Sequence, residues 1–235
     1  KQVSKGNWQI TNYYGYNPKS KEVYIQTTEK GSTNKVISKL NINSGKTSLI
    51  SENEGNNSAN FSKTFNYFIN TTSTAATPHR YILKDGNGKV VKELQNNEEM
   101  LAKLKADAFT NKEFFTIPNA VGDQMNAWMI KPKDFDPNKK YPVFMFQYSG
   151  PGSQQVSNSW DGGNGIWFQH LAQKGYVIVC VDGRGTGYKG TEYKKVIYKN
   201  LGKYEIEDQI TAAKWLGNQA FVDKSRIGIF GWSYG

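Results

Sequence analysis

With 235 residues the chain exceeds one typical domain and has the length for two, each with a buried core. Its net charge of +10 comes from lysines scattered over turns, as at Lys19 and Lys21, Lys139-Lys140 and Lys194-Lys195, with no long basic run, so no nucleic acid is expected as a partner. No stretch reaches the ~18 apolar residues that span a bilayer, and the single cysteine, Cys180, excludes an internal disulfide and sits in an apolar run that suits a small buried side chain.

Up to about residue 110 the chain is a series of short alternating stretches rich in Asn, Thr, Ser, Lys and Tyr, and parts of it repeat. Tyr24-Ile25 corresponds to Tyr67-Phe68, Lys35-Val36-Ile37 to Arg80-Tyr81-Ile82, and Gly45-Lys46 to Gly88-Lys89. The spacing, roughly 43 to 45 residues, is that of one four-stranded propeller blade. Asn43-Ser44-Gly45 and the turn from Asp85 to Gly88 supply residues tolerant of positive φ between reversing strands. Residues 1–97 are therefore expected to be the C-terminal blades of a β-propeller, with an antiparallel sandwich as the alternative on pattern alone. Two blades cannot close a ring, so the amino end is expected to lie inside a larger protein. His79, behind Pro78, reads as a turn residue, and the sequons at Asn56, Asn60 and Asn70 matter only in a secreted eukaryotic protein.

Met100, Leu101 and Leu104 recur at helical spacing within about residues 93–107, and 98–112 reads as a connector. Residues 113–235 then alternate strand and helix. Phe114–Ile117 and Ala127–Ile130 read as two paired strands, and Val143–Phe146 as a strand buried on both faces. A loop over Ser149–Ser153, a helix over Ile166–Ala172 stopped by Gly175, and a strand over Tyr176–Val181 follow. The helix over Tyr204–Leu216 has Ile206, Ile210, Ala213 and Leu216 as its apolar stripe, with Glu205, Glu207 and Asp208 as solvated acids at its amino end. The strand Ile227–Phe230 comes last. This order predicts the front half of an α/β-hydrolase, a mostly parallel sheet with flanking helices.

The strand leads into Gly231-Trp232-Ser233-Tyr234-Gly235, a G-x-S-x-G sequence. In a nucleophile elbow of that form the serine sits on a strained strand-to-helix turn that presents its oxygen to substrate. Ser233 is the candidate nucleophile. A serine needs a histidine as base and a carboxylate to orient it, and in the α/β-hydrolase order both follow the serine. His170 precedes it on a predicted helix and reads as a packed or surface residue. The chain alone is thus expected to lack its triad partners, to be cut just after the nucleophile, and to be inactive. The backbone N–H of Tyr234 is one candidate oxyanion donor, and the Tyr148 hydroxyl, at a strand's carboxyl end, is either a second donor or a packing aromatic. Asp182–Gly187 (DGRGTG) lacks the following helix of a dinucleotide fingerprint, so it reads as a tight loop on the rim of the catalytic face. No metal or cofactor is called for.

Gln147–Gln154 (QYSGPGSQ), Val181–Tyr188 (VDGRGTGY), Leu201–Ile210 (LGKYEIEDQI) and Gly231–Gly235 (GWSYG) together resemble the hydrolase domain of the dipeptidyl peptidase IV family, in the prolyl oligopeptidase group of serine peptidases. The resemblance spans about residues 93–235 closely and the start more loosely. Trp232 and Tyr234 around the serine carry it more specifically than the elbow alone. It implies a post-proline dipeptidyl aminopeptidase that forms an acyl-enzyme on Ser233, with Tyr148 and Tyr234 as oxyanion donors and Trp232 touching substrate. It further implies an eight-bladed propeller whose acidic residues hold the substrate amino terminus, and an Asp and a His beyond the elbow, all outside these residues. The implied substrate is a peptide with Pro or Ala next to its N-terminal residue, the implied assembly a homodimer, the implied location periplasmic, cell-envelope or extracellular. An acylaminoacyl peptidase or esterase of the same fold, or a non-enzymatic propeller-hydrolase binding protein, are the alternatives.

Overall fold

In the computed structural model, which describes residues 2–107 and 109–235, the alternating first stretch forms β1 (Ile10–Asn17), β2 (Glu22–Thr27), β3 (Val36–Asn41), β4 (Thr47–Leu49), β5 (Asn56–Phe61), β6 (Tyr67–Thr74), β7 (Thr77–Asp85) and β8 (Val90–Gln95). They make two antiparallel four-stranded sheets, ordered β1-β2-β3-β4 and β5-β6-β7-β8, the up-and-down meander of propeller blades. Tyr24, Ile37, Ile50 and Phe68 form the core between them. Phe65 stacks on Tyr24 at 4.5 Å between ring centroids, and Phe61 on Phe68 at 4.8 Å. The buried Asn57 amide donates to the carbonyls of Lys35 (3.0 Å) and Glu54 (2.9 Å), which satisfies its own N–H groups at that seam. His79 lies inside β7, not in a turn, because strand pairing with β6 begins at Thr77.

Helix α1 (Glu98–Ala106) carries Glu98 and Glu99 in its first turn and Lys103 and Lys105 in its last, each charge matched to the helix dipole. It is shorter than its spacing suggested, since Glu93–Gln95 pair as part of β8. Two compact units result. One gathers the chain through Ala102 together with Ser157–Trp160, and the other gathers Lys103–Val156 and Asp161–Gly235.

The second unit contains β9 (Glu113–Pro118), β10 (Gln124–Ile130), β11 (Tyr141–Gln147), α2 (Gly163–Gln173), β12 (Val177–Asp182), α3 (Thr191–Lys195), α4 (Lys203–Gly217) and β13 (Val222–Gly231). Its sheet runs β13-β11-β12-β10-β9. β11 is parallel to both β12 and β13, whereas β10 is antiparallel to both β12 and β9. The sheet is therefore mixed and not mostly parallel. Connection length decides this: α2 bridges β11 to β12 and α3 with α4 bridges β12 to β13, while the links on either side of β10 hold no helix.

β12 shows how the sheet is buried on both faces. Val177, Val179 and Val181 point to one side, where Ala212 and Leu216 of α4 cover them. Ile178 and Cys180 point to the other, against Phe168 and Ala172 of α2. Burial pushes the Cys180 thiol well up, in keeping with its packing role.

The expected stripe of α4 does not face this core as a whole. Leu216 is buried, but Ile206 and Ile210 are 60% and 48% exposed, and the buried positions are Glu205, Asp208, Gln209 and Ala212. The first turns of α4 are occupied by the chain that leaves β12: the Gln209 amide donates to the Val181 carbonyl at 3.0 Å, and Asp208 takes Arg184. Of the three acids expected in solvent, only Glu207 remains there. No helix among the described residues is long and apolar enough to cross a membrane.

Candidate active site

Parallel strands bring their carboxyl ends to one edge, where an open α/β sheet offers space to ligands. Here β11 ends at Gln147, β12 at Asp182 and β13 at Gly231, and Gln147 pairs with Gly231. Tyr148 and Trp232 are thus the first residues beyond adjacent strand ends. Past Gly231 the chain reverses, with the Gly235 N–H donating to the Trp232 carbonyl at 2.9 Å. Ser233 is exposed at φ 60°, a left-handed conformation that costs a non-glycine residue of the order of 1 to 3 kcal/mol. A Cβ on Gly231 would lie 2.1 Å from the Gly235 carbonyl carbon, and one on Gly235 would lie 2.6 Å from the Gln147 oxygen. The G-x-S-x-G spacing is therefore a packing requirement: backbone meets backbone on both sides of the serine.

Tyr148 opens a loop held at nearly every residue. Ser149 Oγ donates to the Gln147 side chain at 2.8 Å, and Ser153 Oγ to the Tyr148 carbonyl at 3.0 Å. The Gly152 N–H donates to the Gly185 carbonyl and the Gly187 N–H to the Ser153 carbonyl, both at 2.8 Å. Trp128 Nε1 donates to the Gln155 carbonyl at 3.1 Å. The far end is tied to Asp182, whose carboxylate accepts the N–H groups of Gln155 (3.0 Å) and Val156 (2.8 Å).

Burial pushes the Asp182 carboxyl up to about 6, against the opposing pull of those two N–H groups. Because this value exceeds the 3.8 of an ordinary aspartate, the folded state binds the extra proton, and the group's contribution to stability declines as pH rises between about 3.8 and 6. The decline amounts to about 3 kcal/mol. Denaturant melts of the parent protein and its Asp182→Asn variant should show the wild type losing ground to the variant across that window and holding a constant difference above it. A difference independent of pH would contradict this assignment.

The loop after β12, expected to line the rim of the catalytic face, is buried. Arg184 is 5% exposed and lies between helix and sheet. Its Nε and Nη2 both donate to Asp208, Nη2 at 2.7 Å, its own backbone N–H donates to the same carboxylate at 2.7 Å, and its guanidinium lies over the Tyr204 ring at 4.7 Å. A bidentate pair of this kind fixes both partners in one geometry. A second buried acid of α4, Glu205, accepts the Tyr234 hydroxyl at 2.8 Å. Partial desolvation, then that carboxylate, hold the Tyr234 phenol above its usual value.

A cleft of about 700 Å³ opens at this edge, lined by Ser233, Tyr234 and Gln147 and by the apolar Ile206, Ile210 and Ile229. Tyr148 is half-buried and does not line it. Trp232 is 79% exposed. His170 is exposed on α2 and is not among the cleft residues. Sequence reasoning had not singled out Asp182, the Arg184–Asp208 pair or the Glu205–Tyr234 contact. An aspartate directly behind a wholly apolar strand, and acids spaced to share a helix face with Ala212 and Leu216, were the available signals.

Comparison with known proteins bears on both parts of the chain. The Dipeptidyl peptidase IV (DPP IV) N-terminal region matches residues 1–79, and the Prolyl oligopeptidase family matches residues 166–235. Dipeptidyl peptidase 4 of Trichophyton equinum is 34% identical over 99% of this chain and 31% of its own length, and that of Arthroderma otae is 33% identical with the same shares. The crystal structure of Porphyromonas gingivalis dipeptidyl peptidase 4 superposes with a TM-score of 0.94 at 41% identity, over 100% of this chain and 33% of that one. The chain thus spans about a third of the length of these relatives.

Proposed function

Since this chain belongs to the dipeptidyl peptidase IV family, we propose that it carries the nucleophile and oxyanion donors of a serine peptidase that releases N-terminal dipeptides. The observation that supports this reading most is the turn at Ser233, strained at φ 60° and following directly on the strand end paired with Gln147, next to Tyr148. Under this reading Ser233 attacks the peptide carbonyl to form an acyl-enzyme. The negative charge that develops on the carbonyl oxygen is met by the Tyr234 N–H and the Tyr148 hydroxyl. Trp232, exposed beside the serine, contacts substrate. The base and its carboxylate come from the part of the protein outside these residues, so the isolated chain is inactive.

Residues 1–97 serve in this proposal as propeller blades, 98–112 as the connector and 113–235 as the leading part of an α/β-hydrolase domain. The substrate is a peptide with Pro or Ala next to its N-terminal residue, and the full-length protein assembles as a homodimer. Assay of the full-length protein against Gly-Pro and N-acylated chromogenic substrates tests the reading. Cleavage of Gly-Pro-nitroanilide, with the N-acylated compound untouched, is expected. The opposite preference would assign an acylaminoacyl peptidase or esterase instead.

A further inference from the structure

We propose that Gly150 is a positioning residue for the Tyr148 phenol: the missing side chain at 150 leaves the room into which the ring folds back over its own loop. The inference rests on the reading of Tyr148 as an oxyanion donor and adds the feature that holds its hydroxyl in place.

Neither the backbone nor the turn asks for glycine at this position. The Ser153 N–H donates to the Gly150 carbonyl at 2.9 Å, and Gly152 has φ 74°, so Gly150-Pro151-Gly152-Ser153 is a type II turn with Pro and Gly at its two central positions. Its first position accepts most residues, and Gly150 is not among the glycines with positive φ. Solvent does not explain it either, since Gly150 is buried. What excludes a side chain is the ring. A Cβ on Gly150 would lie 2.6 Å from Tyr148 Cε1, 3.0 Å from Cζ and 3.1 Å from the hydroxyl oxygen.

One of the two must yield, and the backbone is the less able to do so. The turn is tied beneath by the bonds from Gly152 to Gly185 and from Gly187 to Ser153, and Asp182 fixes the loop's far end. The phenol can answer by rotating about its two side-chain torsions, with no change to the backbone. A methyl group at 150 therefore turns the ring away and carries the hydroxyl with it. Misplacement of a catalytic group by about 1 Å is enough to cost about 10²-fold in rate.

Steady-state kinetics of the full-length protein test this with Gly150→Ala, Tyr148→Phe and the double variant. Tyr148→Phe should lower kcat by about 10²- to 10³-fold. Gly150→Ala should lower kcat by about 10²-fold with KM little changed, and adding it to Tyr148→Phe should cause no further loss, because no hydroxyl is left to displace. Normal turnover in Gly150→Ala beside an impaired Tyr148→Phe would overturn the inference alone, as would additive losses in the double variant. Normal turnover in Tyr148→Phe would overturn the oxyanion reading and the inference with it. Should Gly150→Ala melt early, the thermal midpoint of Tyr148→Ala/Gly150→Ala decides: recovery to that of Tyr148→Ala locates the clash at the ring, and no recovery contradicts it.

Discussion

Replacing Ser233 with alanine in the full-length protein is expected to lower kcat by about 10⁶-fold, the loss seen when the nucleophile of a serine peptidase is removed. The substitution should do little else. The turn is held by the Gly235-to-Trp232 hydrogen bond and by glycine backbones packed on each other and on Gln147, none of which involves the serine hydroxyl. Alanine meets the same φ of 60° at a similar cost, so the fold and the thermal midpoint should be preserved. The proposed oxyanion donors remain, so KM should stay near the wild-type value. A variant that keeps about a tenth of the original turnover, far above this expectation, would move the nucleophile to another residue.

The largest stability effect is expected at Asp208. Its carboxylate is fully buried and accepts the Arg184 guanidinium and backbone N–H. Asp208→Ala leaves a buried cation with no carboxylate nearer than Glu207, half exposed, at 3.2 Å, and the Tyr204 ring at 4.7 Å. Removing one partner of such a pair costs about 3 to 5 kcal/mol, most of it the burial of the charge left behind. The damage should extend beyond the pair. Arg184 belongs to the loop whose Gly185 and Gly187 hold the Tyr148 turn, so kcat should fall along with stability. Replacing both partners, as in Arg184→Met with Asp208→Leu, should recover much of the thermal midpoint because no unpaired charge remains. A single Asp208→Ala variant that melts with the wild type would contradict this account of the loop.

The parts of this fold that were legible in the sequence are those governed by a local rule. Alternation and the repeat from Tyr24 to Tyr67 marked the strands of the first unit, because sheets with one covered face alternate. The run from Val177 to Val181 was readable as buried because both its faces are covered, by α2 and by α4, whereas Tyr176, read with it, lies before the strand and is exposed. The G-x-S-x-G sequence announced its turn because the close backbone approach leaves few substitutes for glycine.

The parts that were not legible depend on which distant segment arrives first. α4 has an apolar stripe, yet Ile206 and Ile210 line a cleft while Asp208 and Gln209 turn inward, since the buried loop after β12 offers them a guanidinium and a carbonyl. The depth of the same loop was not legible because glycines indicate a tight path and not how far beneath the surface it runs. The antiparallel placement of β10 beside β12 likewise follows from links too short for a helix, a property of connections and not of strand composition.

The most direct test of the central claim is a crystal structure of the full-length protein after reaction with a fluorophosphonate. The account predicts phosphorus bonded to Ser233 Oγ, with the phosphonyl oxygen at about 2.7 to 3.1 Å from both the Tyr148 hydroxyl and the Tyr234 N–H. Phosphorus on any other residue, or a phosphonyl oxygen facing solvent with the Tyr148 phenol turned away, would contradict it.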